Sequence, residues 1–428
     1  MSDLTRLTAV DAAKRIESGG LTAEALVRAY LERIAEREPT VGAWQHLEPQ
    51  PAIAAAQALD RGPRRGPLQG IPIGVKDIMD TGDMPTTFGS KAYAGYRPKA
   101  DAACVALTRA AGGLVLGKTV TTEFAAGAPG KTRNPHNAAH TPGGSSSGSA
   151  AGVADRMIPL GFGTQTAGSI IRPASYCGTV GYKPSFGTVA ISGTKALAES
   201  FDTVGGIANA VADVALFVGA LAGRPGLAPT EPHPKPRIGF FRTAQWGKAD
   251  PACQRVLEGA AQTLARAGAS VTDRAPFPAL DGIADVHLTH MNYEMARNLA
   301  WERTRHWDLL APRSTETLTT AIEITPEQYD AARRRTFEAR THVNELFGEF
   351  DALLVPAAPG EAPARLDMTG DPIFNRTWTL LHLPCVTVPA GRGDAGLPIG
   401  IQLVGRLWDD ARLLAVARFA ERALEPIA

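Results

Sequence analysis

Two turns rich in glycine and serine, within residues 142–173, constrain this chain more than any other feature. The first reads Gly-Gly-Ser-Ser-Ser-Gly-Ser over 143–149, and the second reads Gly-Thr-Gln-Thr-Ala-Gly-Ser over 163–169. Small residues leave backbone N–H groups uncovered, and glycine lets backbone approach a ligand closely. Apolar residues flank both turns, which favours an ordered site over a flexible linker. The pattern suits acyl transfer, in which a serine attacks and nearby N–H groups hold the oxyanion.

Charge and cysteine content exclude several classes of function. The 428 residues include 44 Lys and Arg against 43 Asp and Glu, so no global field recruits nucleic acid or an anionic membrane. The four cysteines are far apart and lack the spacing of a zinc or disulfide framework, and no stretch approaches the roughly 18 apolar residues of a membrane span. We therefore expect a cytoplasmic protein without metal, cofactor, nucleic-acid or membrane partner, and a homodimer as the default assembly.

The alternation of apolar runs with amphipathic segments predicts an α/β fold, with a mixed, mostly parallel twisted β-sheet sandwiched between helices. Predicted helices cover residues 8–18, 22–37, 53–59, 101–111, 208–222, 251–267, 327–347 and 409–424. Predicted strands cover residues 71–75, 114–116, 238–241, 269–272, 352–355, 386–388 and 399–404.

Two further patterns are rejected as functional sites. Residues 112–119 match the phosphate-binding pattern G-x-x-x-x-G-K-[ST], but a helix precedes them and their apolar Leu-Val-Leu run is the predicted strand. A nucleotide needs the opposite order, with a strand before the loop and a helix after it. His287 and His290 have no acidic partner at ligand spacing, so we interpret them as core or surface residues. No Ser-His-Asp triad follows from the sequence.

A lysine is the alternative activator of a serine. Lys76 ends the apolar run Gly-Ile-Pro-Ile-Gly-Val over 70–75, where burial would disfavour its charged form and lower its pKa. A lysine after a strand can equally form a salt bridge at the rim of a sheet, and the residues alone leave both interpretations open.

The chain resembles the amidase signature family of serine amidohydrolases, and among them small bacterial, malonamidase-like members. The resemblance rests on GIPIGVKD at 70–77, GKTVTTEFA at 117–125, PGGSSSGSA at 142–150 and GTQTAGSIIRPA at 163–174, with LPCVTVPAG at 383–391 and GLPIGIQLVG at 396–405 near the C-terminus. It implies one domain over 1–428, with a catalytic core at about 65–195 and a variable substrate-pocket region at about 280–380.

The resemblance also implies a Ser-cisSer-Lys triad. Ser169 would be the nucleophile, Ser145 the bridging serine and Lys76 the base, with Ser146, Ser147 and Ser149 in supporting positions. The oxyanion would form beside the backbone N–H groups of the second turn, those of Thr166, Ala167, Gly168 and Ser169.

Three residues depart from the family pattern. Gln165 stands where an acidic residue is usual, and Ala167 stands where glycine is usual. Arg172 follows the nucleophile by three residues rather than two, which can turn its side chain to the other side of the segment. We hypothesise that Arg172, together with Gly144, contacts a substrate carboxylate; the alternative is that Arg172 pairs with buried carbonyls or a local carboxylate.

The function expected first is hydrolysis of the amide of a small molecule through a Ser169 acyl-enzyme, to a carboxylate and ammonia or an amine. The alternatives are the glutamine amidase subunit of a tRNA-dependent amidotransferase, which usually has a longer chain, and a catalytically silent binding protein on the same fold. Thr86, Thr87 and Phe88 are further candidates for the lining of the site.

Overall fold

The computed structural model describes residues 4–227 and 231–424. The strands of the described part are β1 Trp44–Leu47, β2 Pro72–Lys76, β3 Leu114–Thr119, β4 Leu160–Gln165, β5 Val180–Lys183, β6 Thr203–Ala208, β7 Arg237–Phe240, β8 Ser270–Asp273, β9 Ala352–Pro356, β10 Cys385–Arg392 and β11 Pro398–Val404. The α-helices are α1 Ala9–Glu17, α2 Ala23–Val41, α3 Pro49–Arg61, α4 Ala103–Ala110, α5 Ser147–Ala154, α6 Ile171–Cys177, α7 Val211–Leu221, α8 Pro251–Arg266, α9 Ile283–Asn298, α10 Ala300–Arg305, α11 Pro312–Ala321, α12 Pro326–Thr341, α13 Val343–Phe347, α14 Arg376–Leu380 and α15 Asp410–Leu424.

The strands form one continuous sheet in the order β1-β3-β2-β4-β6-β5-β10-β11-β9-β7-β8. Strand β2 runs parallel to β3 and β4, and β7 runs parallel to β8 and β9. The central pairs from β4 to β9 are antiparallel. Helices pack on the sheet and bury three large apolar clusters. The predicted mixed α/β architecture is confirmed.

The parallel pairing of β2 with β4 positions the functional residues. Lys76 is the last residue of β2, and Gln165 is the last residue of β4. Because the carboxyl ends of parallel strands meet at one edge of a sheet, the turn that follows Gln165 lies beside Lys76. Helix α5, which follows the first serine-rich turn, packs against β4, and α6 begins directly after the second turn.

The predicted end of the second helix at residue 37 is wrong. Helix α2 continues through Pro39 to Val41, and Gly42, with a φ of 62°, ends it. The Glu38 carboxylate accepts hydrogen bonds from the backbone N–H groups of Ala43 at 2.8 Å and Trp44 at 3.1 Å. This side chain and the left-handed glycine set the helix end, so the proline is tolerated in the last turn.

The helix-before-strand order at residues 112–119 is confirmed. Helix α4 precedes β3, and Lys118 lies within that strand. Its buried Nζ donates to the Met79 carbonyl at 2.7 Å and lies 3.0 Å from an Asp77 carboxylate oxygen. Lys118 is therefore an interior ion-pair residue in this fold.

Neither a disulfide nor a membrane span occurs in the described chain. All four cysteines are buried and carry free thiols. None of the helices within 4–227 and 231–424 combines the length and apolar character needed to cross a bilayer.

Candidate active site

Lys76 lies in the interior at the end of β2, with its amine between two hydroxyl groups. Its Nζ is 2.7 Å from Ser145 Oγ and 2.7 Å from Thr164 Oγ1, and the residue has no exposed surface. Burial lowers the pKa of Lys76 to about 7, and the nearby Asp202 carboxylate partly opposes that effect. A large fraction of this amine is therefore neutral near pH 7 and can accept a proton.

Ser145 lies in the loop before α5, and the peptide bond between Gly144 and Ser145 is cis. The next residue, Ser146, donates its backbone N–H to the Ser169 carbonyl at 3.4 Å. The loop that carries Ser145 therefore runs alongside the turn that carries Ser169. Further along α5, Ser149 Oγ donates to the Phe162 carbonyl at 2.7 Å, which ties the helix to β4.

The turn over 166–169 directs its carbonyl groups away from the bend and leaves N–H groups free. Its four carbonyls accept hydrogen bonds from His287 Nε2, Thr379 Oγ1, the Arg172 backbone N–H and the Ser146 backbone N–H, respectively. Within the described residues, the backbone N–H groups of Ala167, Gly168 and Ser169 donate to no other group. Buried N–H groups are almost always paired, so three consecutive free ones indicate a site for a ligand oxygen.

Gln165 fixes this turn through both ends of its side-chain amide. Its Oε1 accepts from the backbone N–H groups of Ile170 at 3.0 Å and Ile171 at 3.1 Å, and its Nε2 donates to Thr379 Oγ1 at 3.1 Å. Thr379 Oγ1 in turn donates to the Ala167 carbonyl at 2.8 Å. Glutamine thus provides the two acceptor contacts that a carboxylate could make and adds a donated bond that a carboxylate could not.

Asp202, just before β6, supports the same turn from the interior. Its carboxylate accepts from the Thr166 hydroxyl and from the backbone N–H groups of Leu197 at 2.7 Å and Ala198 at 3.1 Å. Burial raises the pKa of Asp202 to about 6, against the opposing effect of these hydrogen bonds and of Lys76. Asp202 is the charged group that acts on Lys76, so it also tunes the base.

His287, on α9, holds the turn from the opposite side. Its Nε2 is 2.8 Å from the Thr166 carbonyl, and burial lowers the pKa of His287 to about 3. The ring is therefore neutral near pH 7 and donates its Nε2–H to that carbonyl. The interpretation of His287 as a core residue holds for its burial, but the histidine also supports the second turn.

Arg172 is buried against backbone carbonyls. Its Nε donates to the Thr369 carbonyl at 2.7 Å, and its Nη2 donates to the Gly144 carbonyl at 2.7 Å. Its Nη1 is buried without a hydrogen-bond partner, and Arg172 forms no ion pair within residues 4–227 and 231–424. Burial lowers the pKa of Arg172 to about 10, so the guanidinium stays charged near pH 7. The arrangement matches the carbonyl-pairing alternative and leaves one N–H-bearing face unsatisfied.

Residues of the C-terminal half close over the second turn. A Cβ built on Gly168 would collide with Asn375 Oδ1, and one built on Gly144 would lie 2.7 Å from Thr369 Cγ2. Both contacts are shorter than real side chains tolerate, so neither glycine could carry a side chain without displacing this cover. The segment around 369–379 therefore forms part of the wall above the serines.

The three remaining candidates are placed around the end of β2. Thr86 Oγ1 accepts from Lys118 Nζ at 2.6 Å, and Thr87 donates its backbone N–H to Asp77 at 3.0 Å. The Phe88 ring contacts Tyr93, with ring centroids 4.7 Å apart. The two threonines thus hold the Lys118–Asp77 ion pair, and Phe88 belongs to an aromatic cluster.

Four residues at the site received no role from the sequence: Thr164, Asp202, His287 and Thr379. Thr164 lies inside the quoted second turn, where only the serine carried a recognisable signal. Asp202 offers one available clue, since a single carboxylate stands between Phe201 and the apolar strand β6. His287 and Thr379 are brought in from distant segments and have no local signal.

No group of three or more His, Cys, Asp or Glu side chains within 4–227 and 231–424 is arranged to hold a metal ion. The polar groups that surround Lys76 and the second turn are hydroxyl, amine and backbone N–H groups.

Comparison with known proteins identifies relatives over almost the full chain. One relative, a subunit of the glutamyl-tRNA(Gln) amidotransferase of Chloroflexus aggregans, is 33% identical over 478 aligned positions, which cover 99% of this chain and 98% of the relative. A crystal structure of an amidase superposes with a TM-score of 0.90 at 29% identity, covering 98% of this chain and all of that one. The peptide amidase of Stenotrophomonas maltophilia superposes with a TM-score of 0.83 at 30% identity, covering 98% and 97% of the two chains.

The family model named Amidase matches residues 25–414, a range that contains Lys76, both serine-rich turns and the C-terminal strands. The match explains why the blocks quoted from the sequence recur in one order along the whole chain. This chain belongs to the amidase family, and its activity is that of an enzyme acting on amide C–N bonds.

Proposed function

We propose that this enzyme hydrolyses the primary carboxamide of a small, carboxylate-bearing molecule through an acyl-enzyme on Ser169. The observation behind the proposal is the buried amine of Lys76, 2.7 Å from Ser145 Oγ, with a pKa lowered to about 7. A neutral amine in hydrogen-bond contact with a serine is a general base in position.

In the acylation step, Ser169 Oγ forms a bond to the amide carbon. Its proton passes to Ser145 Oγ, whose own proton passes to Lys76 Nζ. The oxyanion is held by the free N–H groups of Ala167, Gly168 and Ser169, and each such donor is worth about 3 kcal/mol to the transition state. The relay then returns a proton to the nitrogen, the C–N bond breaks, and ammonia leaves.

Deacylation uses the same groups in reverse. Water attacks the ester carbon, and its proton moves through Ser145 to Lys76. The Ser169 oxygen recovers a proton as the carboxylate product departs. No group outside the relay needs to change its charge, which suits a site as buried as this one.

The carboxylate preference rests on Arg172. A buried guanidinium without a carboxylate partner is costly, and the unsatisfied Nη1 offers a charge-assisted hydrogen bond to an anion. The same guanidinium binds the Gly144 carbonyl, one peptide away from the bridging serine. A substrate carboxylate at Nη1 would therefore lie close to the reacting atoms.

The carboxylate preference predicts a change in selectivity when Arg172 is altered. We expect Arg172→Lys and Arg172→Met to lower kcat/KM for the monoamide of a short dicarboxylic acid by about 10- to 100-fold relative to a neutral amide of equal length. The ratio of the two kcat/KM values is the measurement, since loss of the Gly144 and Thr369 contacts would slow both substrates alike. Arg376→Met is the matched control because Arg376 already faces Asp371 at 3.3 Å. An unchanged ratio in both Arg172 variants would contradict the assignment.

A second candidate function is the glutamine amidase subunit of a tRNA-dependent amidotransferase. The sequence similarity to the Chloroflexus aggregans amidotransferase protein favours it, and glutamine is itself a carboxylate-bearing primary amide. The alignment extends over 478 positions against 428 residues here, so at least 50 positions of that alignment have no counterpart in this chain. The shorter chain, and the close superposition on the amidase structure, favour an enzyme that releases ammonia to water.

A panel of primary amides, with ammonia as the readout, tests the proposal against this alternative. The purified chain alone should turn over a short carboxylate-bearing amide faster than L-glutamine, and Ser169→Ala should abolish that turnover. Turnover confined to L-glutamine, and present only when a second protein co-purifies, would support the amidotransferase function and overturn the first proposal.

A further inference from the structure

A second cavity, outside the Lys76 and serine cluster, has the character of a binding site. It has a volume of about 710 Å³ and is lined in part by Asp80, Phe88, Tyr93, Tyr96, Lys195 and Trp301. Neither Lys76, Ser145 nor Ser169 contributes to its lining. The volume is in the range of small-molecule sites.

Aromatic rings form the walls of this cavity. The Tyr93 ring lies 5.6 Å from the Tyr96 ring and 5.5 Å from the Trp301 ring, measured between centroids. Tyr96 and Trp301 remain 38% and 51% exposed, which is unusual for rings that have neighbours to pack against. The faces of such rings attract cations, and Lys195 Nζ already lies 5.7 Å from the Tyr93 centroid.

The charges around the cavity do not balance. Lys195 Nζ is 2.5 Å from a carboxylate oxygen of the buried Glu302, which also accepts the Tyr93 hydroxyl. Lys118 is paired with Asp77 at 3.0 Å. Each lysine that acts on Asp80 therefore has a carboxylate of its own.

Asp80 is left without a partner. Its carboxylate forms no ion pair within residues 4–227 and 231–424, and its Oδ1 is buried without a hydrogen-bond donor. The charged groups that act on it are Lys118, Asp77 and Lys195, of which the first two neutralise each other. An aromatic cavity with one uncompensated carboxylate at its base favours a positively charged ligand.

We propose that this cavity binds an organic ammonium ion, with the Asp80 carboxylate as its counter-charge and the rings of Tyr93, Tyr96 and Trp301 as its walls. The site is distinct from the amide-hydrolysing centre and goes beyond the proposed function. An amine with a flat apolar group matches it best, because the ring contributes stacking and the ammonium contributes charge.

Calorimetric titration with 2-phenylethylammonium, and with the neutral 2-phenylethanol as its isosteric control, tests the proposal. We expect saturable binding of the ammonium ion, at least 10-fold tighter than that of the alcohol. Asp80→Asn should weaken ammonium binding at least 10-fold and leave the alcohol unchanged. Asp394→Asn is the control, since Asp394 is an exposed carboxylate paired with Arg255. Trp fluorescence should change on binding in the wild type and not in Trp301→Phe, which keeps an aromatic wall.

Two outcomes would overturn the assignment. Equal affinities for the ammonium ion and the alcohol would show that charge plays no part. Unchanged ammonium affinity in both Asp80→Asn and Tyr96→Ala would show that the ion binds elsewhere, the hydrolytic site included. Melting curves of the variants establish that each is folded before titration.

Discussion

Replacement of Ser169 by alanine is expected to lower kcat/KM for amide hydrolysis by about 10⁴- to 10⁶-fold, the loss typical of a removed nucleophile. The physical reason is that no other serine hydroxyl meets the free N–H groups of the second turn. Ser147, the nearest alternative by sequence, donates its hydroxyl to the Val120 carbonyl at 3.2 Å and serves as the control. A fluorophosphonate probe should label the wild type and Ser147→Ala, but not Ser169→Ala.

Labelling of Ser169→Ala at the wild-type rate would assign the nucleophile to another residue. The labelled peptide would then identify that residue directly. Such a result would also remove the role proposed for the turn over 166–169, because its N–H groups would no longer face the reacting carbon.

Replacement of Lys76 by methionine is expected to lower kcat/KM by about 10²- to 10⁴-fold, the range of a lost general base. In the wild type, kcat/KM should rise with pH through about 7 and level off above it. The sign follows from the lowered pKa of Lys76, since below about 7 the amine is protonated and cannot accept the Ser145 proton. This inflection should be missing from the variant.

Lys183→Met is the matched control for that experiment. Lys183 is also fully buried, burial also lowers its pKa, and its Nζ donates to the Pro184 carbonyl at 2.9 Å, away from both serines. Its replacement should leave the pH dependence of kcat/KM unchanged. If Lys76→Met retained the wild-type profile, the inflection would have to belong to another group, and Asp202 would be the first to test.

The parts of the site predicted from the sequence are those encoded within short segments. Lys76 ends an apolar strand, and the serines lie in turns whose small residues stand next to each other in the chain. Helices such as α8 and α15 were located correctly because an amphipathic face repeats every three to four residues.

Three central strands, β4, β5 and β6, were missed because they are short and rich in glycine, which has a weak strand signal. The glycines answer to packing that the local sequence does not show. A Cβ at Gly205 in β6, for example, would collide with the Tyr182 carbonyl of the neighbouring strand. Close contact between adjacent strands thus selected residues that hide the strands from pattern analysis.

The supporting residues of the second turn were missed for a related reason. His287 and Thr379 bind the carbonyls of Thr166 and Ala167 across 121 and 212 residues of sequence. Only the topology of the sheet and the packing of α9 and α14 bring them there. The predicted pocket region at about 280–380 included both residues, but the sequence did not distinguish them from their neighbours.

The pH dependence of fluorophosphonate labelling examines the proton relay from Ser169 to Lys76 on its own, because it reports nucleophile activation without substrate binding or product release. We expect a rate constant that rises about tenfold per pH unit below about 7 and levels off above it, as a single titrating base requires. In both Lys76→Met and Ser145→Ala the rate constant should be small and free of that inflection. A folded Lys76→Met variant that is labelled at the wild-type rate, with the same inflection, would contradict the relay.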